Sequence, residues 1–258
     1  MKKIILEATY EILNDVEYIF NKSGYADFLE KFNSTEDLDE KRELADSFDG
    51  AEIKSSDLPS EEAKRADKIN PIVITNNITY RGNYYNTLEK VINISANKNV
   101  IDIIVEDEVD SLHPSSLTTF WNELTPTRIK ASIYHELTHW LDDTFNNQVI
   151  YRQIKKTIDT GKSKYKNLNK KDVNMTHYEV NAQIHAIKMF KKEHEEEWDE
   201  WDLKDLFVKY TSLKSIYDKI KSNYGEHELK KWLKDLLSRM NRENLLGEKM
   251  KKSVLNFY

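Results

Sequence analysis

Apolar residues recur at helical spacing from the start of the chain. Ile4, Ile5, Ala8, Ile12 and Val16 share one face of a helix expected over roughly residues 3–22. A second helix is expected from about Tyr25 to Phe32. A third follows Ser34, where Ser-Thr-Glu-Asp offers a cap and acidic first-turn residues. Asp49-Gly50 reads as a turn and residues 55–60 as a loop, after which Ser60-Glu61-Glu62 opens a short helix. From Pro71 the texture becomes β-branched and partly alternating: Ile72-Val-Ile-Thr, Ile78-Thr-Tyr, Val91-Ile-Asn-Ile and Val100-Ile-Asp-Ile-Ile-Val. Turns at Asn76-Asn77, Gly82-Asn83 and Asn97-Lys98-Asn99 separate these runs, which predicts a small, mostly antiparallel sheet at about residues 71–106. Past Ser111 the pattern is helical almost to the end, with start signals at His113-Pro114-Ser115-Ser116 and Thr125-Pro126-Thr127. The expected class is α+β. A helical N-terminal extension (1–68) precedes the main domain (69–258), or the two form one compact unit.

The stretch Ala131-Ser-Ile-Tyr-His135-Glu136-Leu137-Thr138-His139-Trp140 contains H-E-x-x-H. On a helix expected at about 126–144, residues four apart lie on one face about 6 Å apart along the axis. His135 and His139 can then converge on one ion. Glu136 is displaced by about 100° of helix rotation and can reach a water on that ion without occupying it. Zinc suits such ligands, and a catalytic site leaves a position for water. The wheel supports the helix. Ser132, Glu136, His139, Asp142 and Asp143 cluster on one side, and Ile129, Ile133, Leu137, Trp140 and Leu141 on the other. With seven His in 258 residues, chance places the motif in about one such chain in fifty.

Two histidines are too few for zinc. A third His six residues after the second is excluded, because that position is Phe145 and the Gly expected at 142 is Asp142. The alternative is a Glu on a later helix, expected at about 177–198. Glu179 in Thr176-His177-Tyr178-Glu179-Val180-Asn181-Ala182-Gln183 fits, with Ala182 and Ala186 small enough on the same face for two helices to approach. Thr176-x-x-Glu179 is also a capping box, a competing use of the same carboxylate. His185, His177 and Asp143 are the rivals for the third position.

His135-Glu-Leu-Thr-His139, Asp143 four residues after the second His, and Glu179-Val-Asn-Ala182 resemble the gluzincin clan of zinc metallopeptidases. The first string is the one found in its thermolysin-like group. The resemblance covers roughly residues 126–186. It implies a zincin-like fold, with a sheet above the active-site helix whose edge strand, Val91–Ser95 or Val100–Val105, would pair with an extended peptide. It implies one zinc per chain on His135, His139 and Glu179, with Glu136 as general base, in an endopeptidase acting on peptide or protein. It also implies a Tyr or His supporting the oxyanion, with Tyr178, His177 and Tyr165 as candidates. Asp142 or Asp143 would accept an N–H from a ligand histidine. Gln183, where the thermolysin-like enzymes carry Asp, would orient one without charge. The compact E-x-x-A arrangement, with Lys and Asn in excess over Arg, is similar to small gluzincins of low-GC bacteria and their phages. The alternative is a metal-binding scaffold of the same fold acting as a virion or host-interaction component without hydrolysis. Glu136 argues against it, since a structural site needs no base.

Composition removes other classes. Net charge is −6 with both signs interspersed, and no basic stripe marks nucleic acid. Cysteine is absent, which excludes disulfides, zinc ribbons and thiol nucleophiles. Glu7 and Glu11 interrupt the apolar N-terminus before a signal-peptide core forms, and no run approaches the roughly 20 apolar residues of a membrane span. A cytoplasmic or phage-associated location is expected. The paired tryptophans Trp198 and Trp201, the pair Tyr84-Tyr85, and Trp121 are expected in the core. Substrate preference and oligomeric state leave no mark in the sequence, and residues 1–60 fit a pro-segment, a lid or a scaffold equally.

Overall fold

Helix α1 (Leu13–Lys22) starts later than the apolar spacing predicts, with Ile12 at its N-cap, and buries Val16, Ile19 and Phe20. The computed structural model describes residues 11–80, 82–109, 112, 123–146 and 177–254. Residues 1–10, the start signals at 113–116, Trp121, Tyr165 and Thr176 lie outside them. Gly24, at φ 87, turns the chain directly into α2 (Tyr25–Ser34), a left-handed conformation that costs glycine little. The third helix, α3 (Leu38–Asp46), is capped by Asp37, whose carboxylate accepts the Glu40 N–H at 2.9 Å. Beyond the short strand β1 (Ile53–Lys54), Ser60 caps α4 (Glu61–Asp67) as expected, accepting from the Ala63 N–H at 3.0 Å.

The sheet differs from expectation in two ways. Strands β2 (Val73–Thr79), β3 (Tyr84–Asn86) and β4 (Val91–Asn97) join β1 in the order β1-β2-β4-β3. The central β2–β4 pair is parallel, in register from Val73 opposite Val91 to Thr79 opposite Asn97, so the sheet is mixed rather than mostly antiparallel. Asn76-Asn77 is not a turn. Both asparagines lie inside β2, their amide nitrogens donating to the Ala51 carbonyl at 2.7 Å and to the Asn93 side-chain oxygen at 2.6 Å. Once paired across strands, these amides no longer compete for the local backbone. The second difference is Val100–Val105, which is not a strand. It belongs to helix α5 (Lys98–Val105), capped by the Asn97 side chain. Val100, Ile101, Ile104 and Val105 form a buried helical stripe, while Asp102 faces out to Lys98 at 2.9 Å. An apolar run this short carries both periods, and the cap decides between them.

The remaining described elements are α6 (Pro126–Phe145), α7 (His177–Glu193), α8 (Leu203–Lys209), α9 (Thr211–Arg242) and α10 (Glu248–Val254). Thr125 caps α6 by accepting the Arg128 N–H at 3.2 Å, and Pro126 occupies its first turn, as the sequence predicts. One hydrophobic cluster runs from Ile12 to Met250, and Trp198 and Trp201 are buried within it. At its centre lies α6, touching α7, α1, α4, β3 and β4. Ile129, Ile133, Leu137, Trp140 and Leu141 are all buried, as the wheel requires. So is the opposite, polar face: α7 covers it, and Ala182 and Ala186 on α7 are fully buried. Lys130 joins three helices, its ammonium 3.0 Å from Glu17 of α1 and 3.3 Å from Glu193 of α7. Among the described residues no helix is long and apolar enough to cross a membrane.

Candidate metal centre

His135 and His139 stand one turn apart on α6, held rigid because every other face of that helix is packed. Their Nε2 atoms are 3.1 Å apart, with the rings nearly perpendicular. From α7, Glu179 closes the group: Oε2 lies 3.5 Å from His135 Nε2 and Oε1 lies 3.4 Å from His139 Nε2. Two ligands at about 2.05 Å from a tetrahedral zinc are separated by about 3.4 Å, the edge of the tetrahedron. Each imidazole thus stands near that spacing from the other and from one Glu179 oxygen, and the three residues are close enough to share one ion; two imidazoles and a carboxylate suit zinc. Among the described residues no other group of His, Cys, Asp or Glu meets this condition.

The electrostatics also favour a cation. Burial works against a charged His139, yet Glu179, Glu136 and Asp142 outweigh it and raise its pKa to about 9. Burial likewise opposes a charged Glu179, and the two imidazoles overcome it, holding the carboxyl far below its ordinary range. Glu136 is almost fully buried. Burial raises its pKa, with Glu179 adding to the shift and the two histidines and a backbone hydrogen bond from Tyr85 opposing it. The Tyr85 N–H, on β3, faces the carboxylate.

The supporting residues sit differently from expectation. Neither Asp142 nor Asp143 meets a ligand imidazole, and the Nδ1 atoms of His135 and His139 have no partner among the described residues. Asp142 accepts from the Asn181 amide at 2.9 Å, tying α6 to α7. Asp143, fully buried, accepts from the Thr87 hydroxyl at 2.7 Å and the Tyr85 hydroxyl at 3.1 Å, tying α6 to β3. The Tyr85 hydroxyl in turn accepts from the Asn70 amide at 3.1 Å, and Lys90 donates to the other end of that amide. Gln183 is buried with its amide unpaired among the described residues. His185 is a core residue: its Nδ1 is 2.9 Å from the Asn181 carbonyl, it packs on Tyr134, and burial lowers its pKa to about 3. His177 and Tyr178 open α7, and their side chains lie outside the described set.

A cleft of about 560 Å³ opens on the centre, lined by His135, Glu136, Glu179, Asn83, Arg128 and the start of α9. Sequence reasoning missed that last wall. Tyr210 lines the cleft and is 2 % exposed, and its hydroxyl makes no hydrogen bond among the described residues. Burial, then Glu179 and Glu136, raise its pKa against the pull of Arg128, so it is a neutral donor. Nothing local marks Tyr210, which is separated from the motif by more than seventy positions. The expected edge strands are also corrected. Val91–Ser95 belongs to the interior strand β4, paired with β2 along its length and with β3 over Val91–Asn93, and Val100–Val105 is helical. The sheet edge beside the centre is β3, which the turn at Gly82-Asn83 introduces. No family model, curated protein or solved structure matches the chain.

Proposed function

We propose that the protein is a zinc-dependent endopeptidase of zincin-like fold, binding one zinc per chain through His135, His139 and Glu179. The observation that carries this reading is the convergence of the two imidazoles on one carboxylate: their Nε2 atoms are 3.1 Å apart, and the two Glu179 oxygens lie 3.4 and 3.5 Å from them. Glu136 beside them separates hydrolysis from a purely structural metal site, where a buried carboxylate that is not a ligand would have no work.

When bound, zinc supplies Lewis acidity, polarising a carbonyl and bringing the pKa of water toward neutrality. Glu136 takes a proton from the attacking water as its oxygen bonds to the carbonyl carbon. It returns that proton to the amine nitrogen as the C–N bond breaks. The Tyr85 N–H keeps the carboxylate aimed, and its burial raises its basicity to suit a proton carrier. Tyr210 donates a hydrogen bond from its hydroxyl to the developing oxyanion and keeps its proton. The outer edge of β3 pairs with an extended peptide backbone, which places the bond to be cut over Glu136.

The test is metal content by mass spectrometry with cleavage of a peptide library. Wild type is expected to hold about one zinc, His139→Ala and Glu179→Ala none, and Glu136→Gln about one without cleavage. Absence of zinc from wild type purified and reconstituted without chelators refutes the reading.

A further inference from the structure

Arg128 lies two turns before His135 on α6 and lines both the main cleft and a smaller polar pocket of about 140 Å³ that continues it beneath Tyr80, Asn83 and Asn97. Its guanidinium folds forward along the helix. One Nη donates to the Ser132 hydroxyl at 2.6 Å, and the other donates to the Ser212 hydroxyl at 2.5 Å across the cleft. Ser132 is only four residues before Glu136, so the charge sits about 6 Å along the axis from the reacting groups. A guanidinium carries five N–H donors. Two go to hydroxyls, and the Nε, facing Glu123 at 3.6 Å, makes no hydrogen bond. Glu123 is itself engaged by the Thr211 hydroxyl at 2.5 Å. A half-buried guanidinium whose hydrogen bonds go to neutral hydroxyls, with one carboxylate 3.6 Å away and donors to spare, can take a further anion.

The charge balance of the cleft agrees. Its charged lining residues are Glu123, Arg128, Glu136, Glu179 and Lys219. A divalent ion balances Glu136 and Glu179, which leaves Arg128 and Lys219 against Glu123 alone. Lys219 has no ion-pair partner among the described residues. Planar, bidentate recognition by Arg fits a carboxylate, and a peptide offers one from an Asp or Glu side chain or from its C-terminus.

We propose that the cleft selects acidic peptides: Arg128, assisted by Lys219, receives a substrate carboxylate one or two residues from the bond being cut. This rests on the peptidase reading of the same cleft. The distance follows from the offset of about 6 Å and the roughly 3.3 Å rise of an extended peptide.

The experiment uses quenched fluorescent octapeptides that differ by a single Glu-to-Gln change at each position near the scissile bond, with free or amidated C-termini. Zinc-loaded wild type, Arg128→Gln and Arg128→Lys are compared, with binding of the same peptides to Glu136→Gln, alone and combined with Arg128→Gln, read by anisotropy. At one position wild type should prefer Glu by about 30-fold in kcat/KM, about 2 kcal/mol, and Arg128→Gln should reduce that ratio below about 3-fold. Arg128→Lys should fall between. A preference that follows the side chain identifies an internal acid, and one that follows amidation identifies the C-terminal carboxylate. Equal rates for every pair in wild type, or an undiminished ratio in Arg128→Gln, overturn the proposal. If wild type holds zinc yet cleaves nothing, the peptidase reading falls and binding decides the subsite. Carboxylate-dependent binding lost in the double variant sustains it, and carboxylate-independent binding overturns it. Should Arg128→Gln not fold, the peptide pairs on wild type and Arg128→Lys carry the same decision.

Discussion

Asp143→Ala perturbs the link between the metal helix and the strand that holds the base. Asp143 is fully buried, and one of its oxygens accepts both the Thr87 and Tyr85 hydroxyls. Hydrogen bonds to a carboxylate contribute roughly 1.5–3 kcal/mol each, and removing the acceptor leaves two buried hydroxyl donors unpaired. Relief from burying the carboxylate offsets part of this, so the expected net loss is about 3 kcal/mol. Thr87→Val and Tyr85→Phe each remove one bond and should cost about 1.5 kcal/mol. A double-mutant cycle of either with Asp143→Ala should show strong coupling, because both singles act through the same oxygen. The assay is urea unfolding followed by circular dichroism, run with a chelator so that metal binding adds nothing. Zinc stoichiometry of Asp143→Ala should stay near one, since Asp143 touches no ligand. Peptide cleavage should fall, because β3 is released and with it the Tyr85 N–H on Glu136. A loss under about 1 kcal/mol, or additive effects in the cycle, would refute the argument.

Tyr210→Phe should lower kcat by about 100-fold with KM little changed, as for an oxyanion donor, and equal losses in both would point to packing instead. Lys130→Met removes the cation between Glu17 and Glu193 and should cost about 2 kcal/mol in urea unfolding; a neutral result would show that the bridge adds nothing. Asp15 gives a pH signature in the metal-free protein. Burial raises its folded pKa above 3.8, against the hydrogen bond from the Ser60 N–H at 2.8 Å. The unfolded chain then loses its proton first. The stabilising contribution is present in full below 3.8 and is lost as pH rises through the folded pKa. Asp15→Asn should therefore gain stability relative to wild type between pH 3 and 7, and a pH-independent difference would contradict this.

Much of the centre was legible because its information is local. The four-residue spacing of His135 and His139, the Thr125-Pro126 start and the apolar stripe of α6 need only helix geometry, and Glu179 needs one further helix. What stayed hidden depends on distant pairing. Asn76 and Asn77 look like turn residues until Ala51 and Asn93 supply partners from other segments. Val100–Val105 reads equally as strand or helix until Asn97 is seen to cap it. The Tyr85 N–H that holds Glu136 is a backbone group, and a backbone group has no sequence signature. The expectation that Asp142 or Asp143 accepts an N–H from a ligand imidazole fails for the same reason: the partners that the structure supplies are Asn181, Thr87 and Tyr85, from other segments.

The Lys130 bridge bears on what residues 11–68 do for the rest of the chain. Many proteases are made with a detachable leader whose excision switches them on. Here the segment before the sheet is joined to the metal helix by charge and by the shared core of Val16, Ile19, Phe20 and Phe32. A cut that freed residues 11–68 would expose that apolar surface and remove β1 from the sheet. For the proposed peptidase, truncation there is inactivation, so residues 11–68 serve as a wall of the fold and not as a removable guard.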